Sequence, residues 1–418
     1  MTTIQAGVAP TPPGEIGFKQ FVALVAAIMA VNALAIDSMM PALAAIGHDL
    51  GVGAENDRQW VISAYLMGFG VAQIFFGPLA DRFGRRRVLQ CGIAIYIVFS
   101  LLSALATSFD MLLAARVVQG IGAAASRVLV VSIVRDRFSG RQMARVMSLT
   151  LIVFLAVPIL APSIGQLILL VAPRRWIFAS LAIYGAVVMT WIALRLPETL
   201  HAEDRLPMSV AAVSQAFRTT LTNRIAVGYM LAMTLVLGGL FGFINSAQQI
   251  FVEVFDEPLY FTLNFAVIAG FMAIASLFNA RIVGRLGTRR VSHSALLGYA
   301  VLAIVHGGTV FAGYENLWTF TVFQAGIMFC FGLVGPNFGA MAMEPLGHVA
   351  GTAASVQGSC TTIGGALLGF IIGQNFDGTV RPLMLGFVVC ALASLVAVLI
   401  TERGRLFQPT AGGIATAG

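Results

Sequence analysis

Charge is scarce in this chain. Only 10% of its 418 residues are Asp, Glu, Lys or Arg, against about 25% in soluble domains, while 58% are hydrophobic and the mean hydropathy is +0.90. That balance excludes an ordinary soluble globular fold. Cysteine is scarce too: Cys91, Cys330, Cys360 and Cys390 all fall inside apolar runs with no metal-ligand spacing, so they read as small buried hydrophobes and imply no metal. H-E-x-x-H, G-x-S-x-G and phosphate-loop motifs are absent, no soluble domain is appended, and nothing calls for a cofactor, which argues against an enzyme. A channel would need rings of charge or a filter of repeated carbonyls, and neither is visible. The first nineteen residues, "MTTIQAGVAPTPPGEIGFK", lack a basic n-region and a small-residue cleavage site, so the first apolar run is expected to be retained behind a disordered lead-in.

What the chain does have is a series of apolar runs of about 20 residues, each enough to cross a hydrocarbon core of about 30 Å. Six lie near 20–43, 59–80, 88–107, 111–134, 145–171 and 176–195, and six more near 225–250, 259–281, 291–312, 317–343, 351–374 and 381–401. The expectation is an all-α membrane protein of twelve transmembrane helices in two pseudo-symmetric halves, 18–195 and 225–403. Residues 1–17 and 404–418 are read as disordered tails and 196–224 as a polar linker between the halves. Within the linker Val210, Val213, Phe217 and Leu221 fall at helical spacing, which fits a short amphipathic helix along the membrane surface as well as it fits an unstructured tether.

Net charge is +7 with a pI near 9.7, and its placement is topological. On the twelve-span count nineteen of the 25 basic residues fall at one set of span ends, against Arg58, Arg174, Arg175 and Arg381 at the other. The positive-inside rule then puts both termini in the cytoplasm, and the basicity does not signal nucleic-acid binding.

"FGRRRVL" at 83–89 recurs as "LGTRRVS" at 286–292, an offset of 203 residues that supports duplicated halves with a site at their interface, as in secondary transporters. The fuller stretch "GPLADRFGRRRVL", Gly77 to Leu89, resembles the loop signature of the major facilitator superfamily. "LAIDSMMPALAAI" in span 1, "RVVQGIGAAA" in span 4, "APSIG" in span 5 and "LPETL" after span 6 resemble the twelve-span drug:proton antiporters of the Bcr/CflA type. In "APSIG" Ala161 and Gln166 stand where the antiporter motif has glycines. The resemblance covers residues 18 to 403. It implies that Gly77, Asp81, Arg82, Gly84, Arg85 and Arg86 form a cytoplasmic gate that latches the two halves. Gly284 stands where a second copy of Asp81 would fall, so an acid-dependent latch is expected in the first half alone.

Pro158 and Pro162 lack the N–H that bonds back one turn, so span 5 is expected to kink, with Gly165 on its small-residue surface. Gly365, Gly369 and Gly373 give its repeat counterpart, span 11, a stripe for close contact, and the two helices could seal together.

Intramembrane charge costs at least about 2.5–3.5 kcal/mol, so each instance needs a reason. Asp37, Arg116 and Arg127 qualify. Asp37 is the one acid well inside a span, and Arg116, carried by the "RVVQG" motif, falls at a similar depth, so this pair is assigned to proton coupling. An arginine that approaches the carboxylate and then withdraws would drive proton release and uptake; a static neutralising pair is the other reading. Arg127 lies eleven residues on, on nearly the same helix face and about 16 Å deeper, with no acid at its level. It is expected to face the central cavity and meet water, carbonyls or a substrate. Asn32, Tyr65, Gln73, Gln119, Asn245, Gln248 and Gln357 are further cavity candidates, with Asn264, Gln324 and Asn337 behind them, although amides also bond neighbouring helices. His306 is read as structural.

The function expected is a proton-coupled antiporter that exports small lipophilic drugs or metabolites across a bacterial inner membrane by alternating access, with proton and substrate competing for one cavity. The partners are protons, the small-molecule substrate and membrane lipid, with no nucleic acid and a monomeric state. Neutral, zwitterionic or anionic cargo is favoured over permanent cations. A proton-coupled symporter importing a small metabolite or peptide is the alternative.

Overall fold

The computed structural model describes residues 16–407, except 139, 202, 204, 206–209 and 258–259. It is helical, with no strand among the described residues. Fourteen α-helices follow in chain order: α1 Phe18–Asp37, α2 Leu43–Asp49, α3 Trp60–Phe83, α4 Arg85–Ala104, α5 Phe109–Arg137, α6 Gly140–Val171, α7 Arg175–Arg195, α8 Val210–Thr222, α9 Arg224–Gln249, α10 Phe261–Leu286, α11 Thr288–Phe311, α12 Leu317–Met343, α13 Ala350–Gln374 and α14 Arg381–Thr401. Among the described residues eleven helical segments are long and apolar enough to cross a membrane, and the shorter apolar stretch Leu155–Val171 lies in α6. That distribution fits the twelve-span reading. Of the candidate linker helix, α8 forms, while the side chains of Val210 and Val213 lie outside the described residues, as do most of the expected tails.

Local chemistry starts and stops these helices. Ser108 Oγ accepts from the Met111 amide at the start of α5, and Asn223 Oδ1 accepts from Ile225 and Ala226 at the start of α9. Gly84 (φ +98°) and Gly287 (φ +82°) make the turns between α3 and α4 and between α10 and α11. They are 203 residues apart, so the sequence repeat is realised as the same left-handed break in each half.

The packing repeats as well. In the first half α5 packs on α3 and α4, and α1 on α6; in the second α12 packs on α10 and α11, and α9 on α13. The halves meet through α3 against α13 and α6 against α10. Small residues set the first seam: a Cβ at Gly70 would lie 2.6 Å from Ile363, and one at Gly77 3.3 Å from Ser355 Oγ.

The expected seal between span 5 and span 11 is not what forms. Gly365 and Gly369 of α13 face α9 instead, where Cβ atoms would crowd Leu237 and Phe241, while a Cβ at Gly373 would collide with Gln59 of the first half. Bulky α9 side chains fill the stripe at Gly365 and Gly369, which serve packing within one half, and Gly373 admits Gln59 from the other. α6 continues as a helix through Pro158 and Pro162, and its Gly165 sits against the carbonyl of Ser38, where any Cβ would collide. The proline motif of α6 is thereby clamped to the residue that follows Asp37.

Candidate functional site

The two ends of the molecule are built differently. At the arginine-rich end, which carries both described chain termini, a cavity of about 450 Å³ opens between α3 and α5 of one half and α12 and α13 of the other. Arg127, Gln73, Gly77, Asp81 and Arg85 line it from the first half, and Thr352 and Ser355 from the second. Arg127 is exposed there despite its depth along α5.

At the opposite end the halves are clasped. Arg58 pairs with Glu253 of the other half. Gln59 Nε2 donates to Gln249 Oε1 (2.6 Å) and to the Gly373 carbonyl (3.0 Å), and Asn56 Nδ2 donates to the carbonyls of Gln374 (3.1 Å) and Phe376 (2.9 Å). Gln249 and Gln374 each donate back to Asn56, and the rings of Trp60 and Phe370 lie 4.0 Å apart between centroids. Sequence reading missed this clasp. Its only signals were an acid and an arginine at matching span ends, Glu253 and Arg58.

Glu253→Gln is expected to loosen the clasp. A cysteine placed at the buried Ser63, in a background without the four native cysteines, should then react with a water-soluble maleimide about tenfold faster, equivalent to about 1.4 kcal/mol of lost closure. Unchanged labelling would show that the ion pair does not hold this end shut.

The buried charges of the first half separate into two arrangements. Arg116 is 0% exposed and fully engaged: Nε donates to the Val61 carbonyl (3.1 Å), Nη1 to Gln119 Oε1 (2.6 Å) and Nη2 to the Ala35 carbonyl (3.1 Å), with the guanidinium 4.4 Å from the centre of the Tyr65 ring. Gln119 in turn donates to Ser100 Oγ (2.6 Å), and Tyr65 Oη donates to Asn32 Oδ1 (2.9 Å). Asp37, at the end of α1 and 6% exposed, has no hydrogen bond or ion pair among the described residues. Arg116 reaches the helix turn of Asp37, through Ala35, without touching its carboxylate. A static Asp37–Arg116 pair is therefore absent in this conformation.

This geometry revises the cavity assignments. Gln73 and Arg127 line the cavity, but Gln119 accepts from Arg116, Tyr65 lays its ring against that guanidinium and Asn32 accepts from the Tyr65 hydroxyl, because a buried guanidinium has to be satisfied by nearby groups. Gln357 donates to the Gly339 carbonyl (3.4 Å). Asn245 and Gln248 are buried toward the clasp, with both polar side-chain atoms of Asn245 and Oε1 of Gln248 unpaired. Asn337 bonds Asn279 (2.7 Å), Asn264 accepts from Thr321 (3.0 Å), and both polar side-chain atoms of Gln324 are buried without a partner. His306 meets Glu315 (2.9 Å). Asp37 does not line the cavity in this state.

The charged residues of the loop signature are tied within one half. Arg85 pairs with Asp81 (2.5 Å) and Asp136 (3.2 Å), while Glu198 accepts from the backbone amides of Arg85 (2.8 Å) and Arg86 (3.2 Å) at the start of α4. Arg86 also donates to the Ala193 carbonyl (2.6 Å), and Arg82 lies over Phe83. Gly84 is needed here twice over, for its positive φ and because a Cβ would sit 2.5 Å from Glu198. The acids at Asp136 and in "LPETL" were visible in sequence, but their convergence was not. Among the described residues Asp81 makes no ion pair or hydrogen bond to the second half, which suits an open cavity at this end. The second half has its own charged cluster despite Gly284: Arg289 pairs with Glu402 (3.0 Å) and Glu344 (3.4 Å), acids supplied by helix ends rather than by the loop.

The model of the Major Facilitator Superfamily matches residues 25–369 of the chain. The chain belongs to that superfamily. It is 30% identical over 377 residues to the MFS-type transporter YdgK of Bacillus subtilis strain 168, covering 88% of this chain and 92% of that one. It is 28% identical over 380 residues to the bicyclomycin resistance protein homolog of Haemophilus influenzae Rd, with 88% and 92% covered. Relatives so named agree with the Bcr/CflA type that the motifs resemble. Among solved structures the D-xylose-proton symporter superposes with a TM-score of 0.70 at 14% identity, over 92% of this chain and 99% of that one. That likeness speaks to the fold alone. Superfamily membership makes the chain a multi-pass membrane transporter rather than an enzyme.

Proposed function

We propose that this superfamily member is a proton-coupled antiporter that exports small lipophilic compounds across the bacterial inner membrane. The observation that carries the reading is the asymmetry of the ends: a ligand-sized cavity is open at the arginine-rich end while the other end is clasped shut. With arginines inside, the open end faces the cytoplasm and the state is ready to load cargo. Alternating access then requires the Arg58–Glu253 clasp to break as the Arg85 cluster draws the halves together. Asp37 supports proton coupling because a buried carboxylate without a counter-charge accommodates a proton, and Arg116, bonded to the Ala35 carbonyl two residues before it, is placed to displace that proton in another state.

Relatives named for bicyclomycin and multidrug resistance support export over import. The test uses bicyclomycin and inverted vesicles with an acid lumen. Antiport predicts that adding the drug alkalinises the lumen; acidification would favour the symport alternative, and no change with this or other antibiotics would remove the export reading.

A further inference from the structure

The cavity is not charge-neutral. Three arginines, Arg85, Arg127 and Arg135, line it with one carboxylate, Asp81. Asp81 is committed to Arg85 at 2.5 Å, and Arg85 is shared further with Asp136. Arg127 and Arg135 make no ion pair or hydrogen bond among the described residues. The two differ in depth. Arg135 is in the last turn of α5, whereas Arg127 is eight residues, about 12 Å, further in.

An arginine so far inside a membrane protein is normally paired or hydrogen-bonded, because hydrocarbon and protein interiors solvate charge poorly. Every other deeply placed charge-bearing group here follows that rule or is an acid that a proton can neutralise. Arg127 does neither: a guanidinium does not deprotonate in proteins, and the one acid of the cavity wall, Asp81, is committed to Arg85. The cavity it lines also presents apolar surface from Val128, Val131, Met143 and Met343, with the neutral polar groups of Gln73 and Ser132 beside them and those of Thr352 and Ser355 across the seam. A largely apolar wall around an unpaired deep cation is a binding environment for an apolar body bearing a negative group. Low-dielectric walls also focus the field of Arg127 and Arg135 toward the mouth, which draws anions in.

We propose that Arg127 is the anion-binding residue of the transport cavity, and that cargo of this protein includes small lipophilic carboxylates or sulfonates whose charge it pairs. The proposal rests on the exporter reading of the same cavity and narrows its substrate class. Because the guanidinium is a planar fork, a bidentate carboxylate fits it better than a point acceptor.

The test compares 1-naphthoate with its neutral isostere 1-naphthamide and with 1-naphthylmethyl-trimethylammonium. Binding to the purified full chain in uncharged detergent is measured at fixed ionic strength by calorimetry. The naphthoate should bind in preference to both analogues, and Arg127→Ala should weaken it by about tenfold or more, the scale of a lost charged hydrogen bond. Arg127→Lys should retain part of the affinity, and Arg127→Gln provides a second neutral variant should the alanine protein aggregate. Equal binding of the ammonium, no binding of naphthoate, or naphthoate affinity untouched in Arg127→Ala and Arg127→Gln would each overturn the proposal. Bicyclomycin-induced proton exchange, measured on the same variants in proteoliposomes, separates this failure from failure of the exporter reading: exchange that persists while naphthoate binding is absent removes only the anion site.

Discussion

Asp37→Asn should reduce proton-driven efflux in inverted vesicles to the background of vesicles lacking the protein, without lowering its melting temperature. Both halves of that expectation follow from the same geometry. Asp37 is 6% exposed and its carboxylate makes no polar contact among the described residues, so no ion pair or hydrogen bond is lost when it becomes an amide of the same shape. Burying a neutral amide costs less than burying a charge, which makes the stability change neutral or favourable. The amide cannot exchange a proton, and no other acid lies deep in the first half to replace it. Counterflow of substrate without a proton gradient should survive, because the cavity does not include Asp37. Wild-type efflux by Asp37→Asn would remove this residue from coupling; a collapsed melting temperature would give it a structural role instead.

Arg116→Ala should show the opposite balance, losing both transport and stability. Its side chain ties α5 to α3 through the Val61 carbonyl, to α1 through the Ala35 carbonyl, and holds Gln119, which is bonded to Ser100 of α4. Truncation leaves Gln119 Oε1 and two carbonyl contacts unfilled and opens a void beside Tyr65. A loss of at least about 3 kcal/mol is expected from groups of this kind. Arg116→Lys keeps the charge but cannot reach three acceptors in three directions, so it should fall between the wild type and the alanine variant. The measurement is thermal unfolding in detergent alongside vesicle transport. A wild-type melting temperature for Arg116→Ala would show that the network does not hold these four helices together, leaving the arginine a purely electrostatic role.

The contrast between these two residues marks how far sequence carries the site. Spacing along spans 1 and 4 placed Asp37 and Arg116 at similar depth, and the hydrogen bond from Arg116 to Ala35 agrees with that estimate. Depth is a one-dimensional quantity, and a rise per residue supplies it. Pairing is three-dimensional. Arg116 turns its fork onto carbonyls and Gln119 and leaves the nearby carboxylate alone, which no spacing argument contains. Tyr65 and Gln119 were expected in the cavity because they are polar and intramembrane, yet polarity states only that a group needs a partner. In both cases the partner is Arg116 or its network.

Contacts between the halves were least legible. Arg58 and Glu253 are 195 residues apart, and Asn56 and Gln374 are 318 apart. Nothing local distinguishes them from other polar residues at span ends. Glu198 likewise stands in a recognised motif, "LPETL", but its role as acceptor for the first amides of α4 depends on where α7 ends in space.

By itself the sequence determined the all-helical membrane class, the repeat that relates the halves, the superfamily, and the presence of three deep charges. Those follow from hydropathy, glycine positions and motif order, properties that each segment carries alone because lipid forces every helix to satisfy its own backbone. Only the tertiary structure decided which of the three charges is bonded, which stands alone and which faces the cavity, and which end of the molecule is shut. Hydrogen bonds and ion pairs act over about 3 Å between helices distant in sequence, so they exist only once the helices are packed.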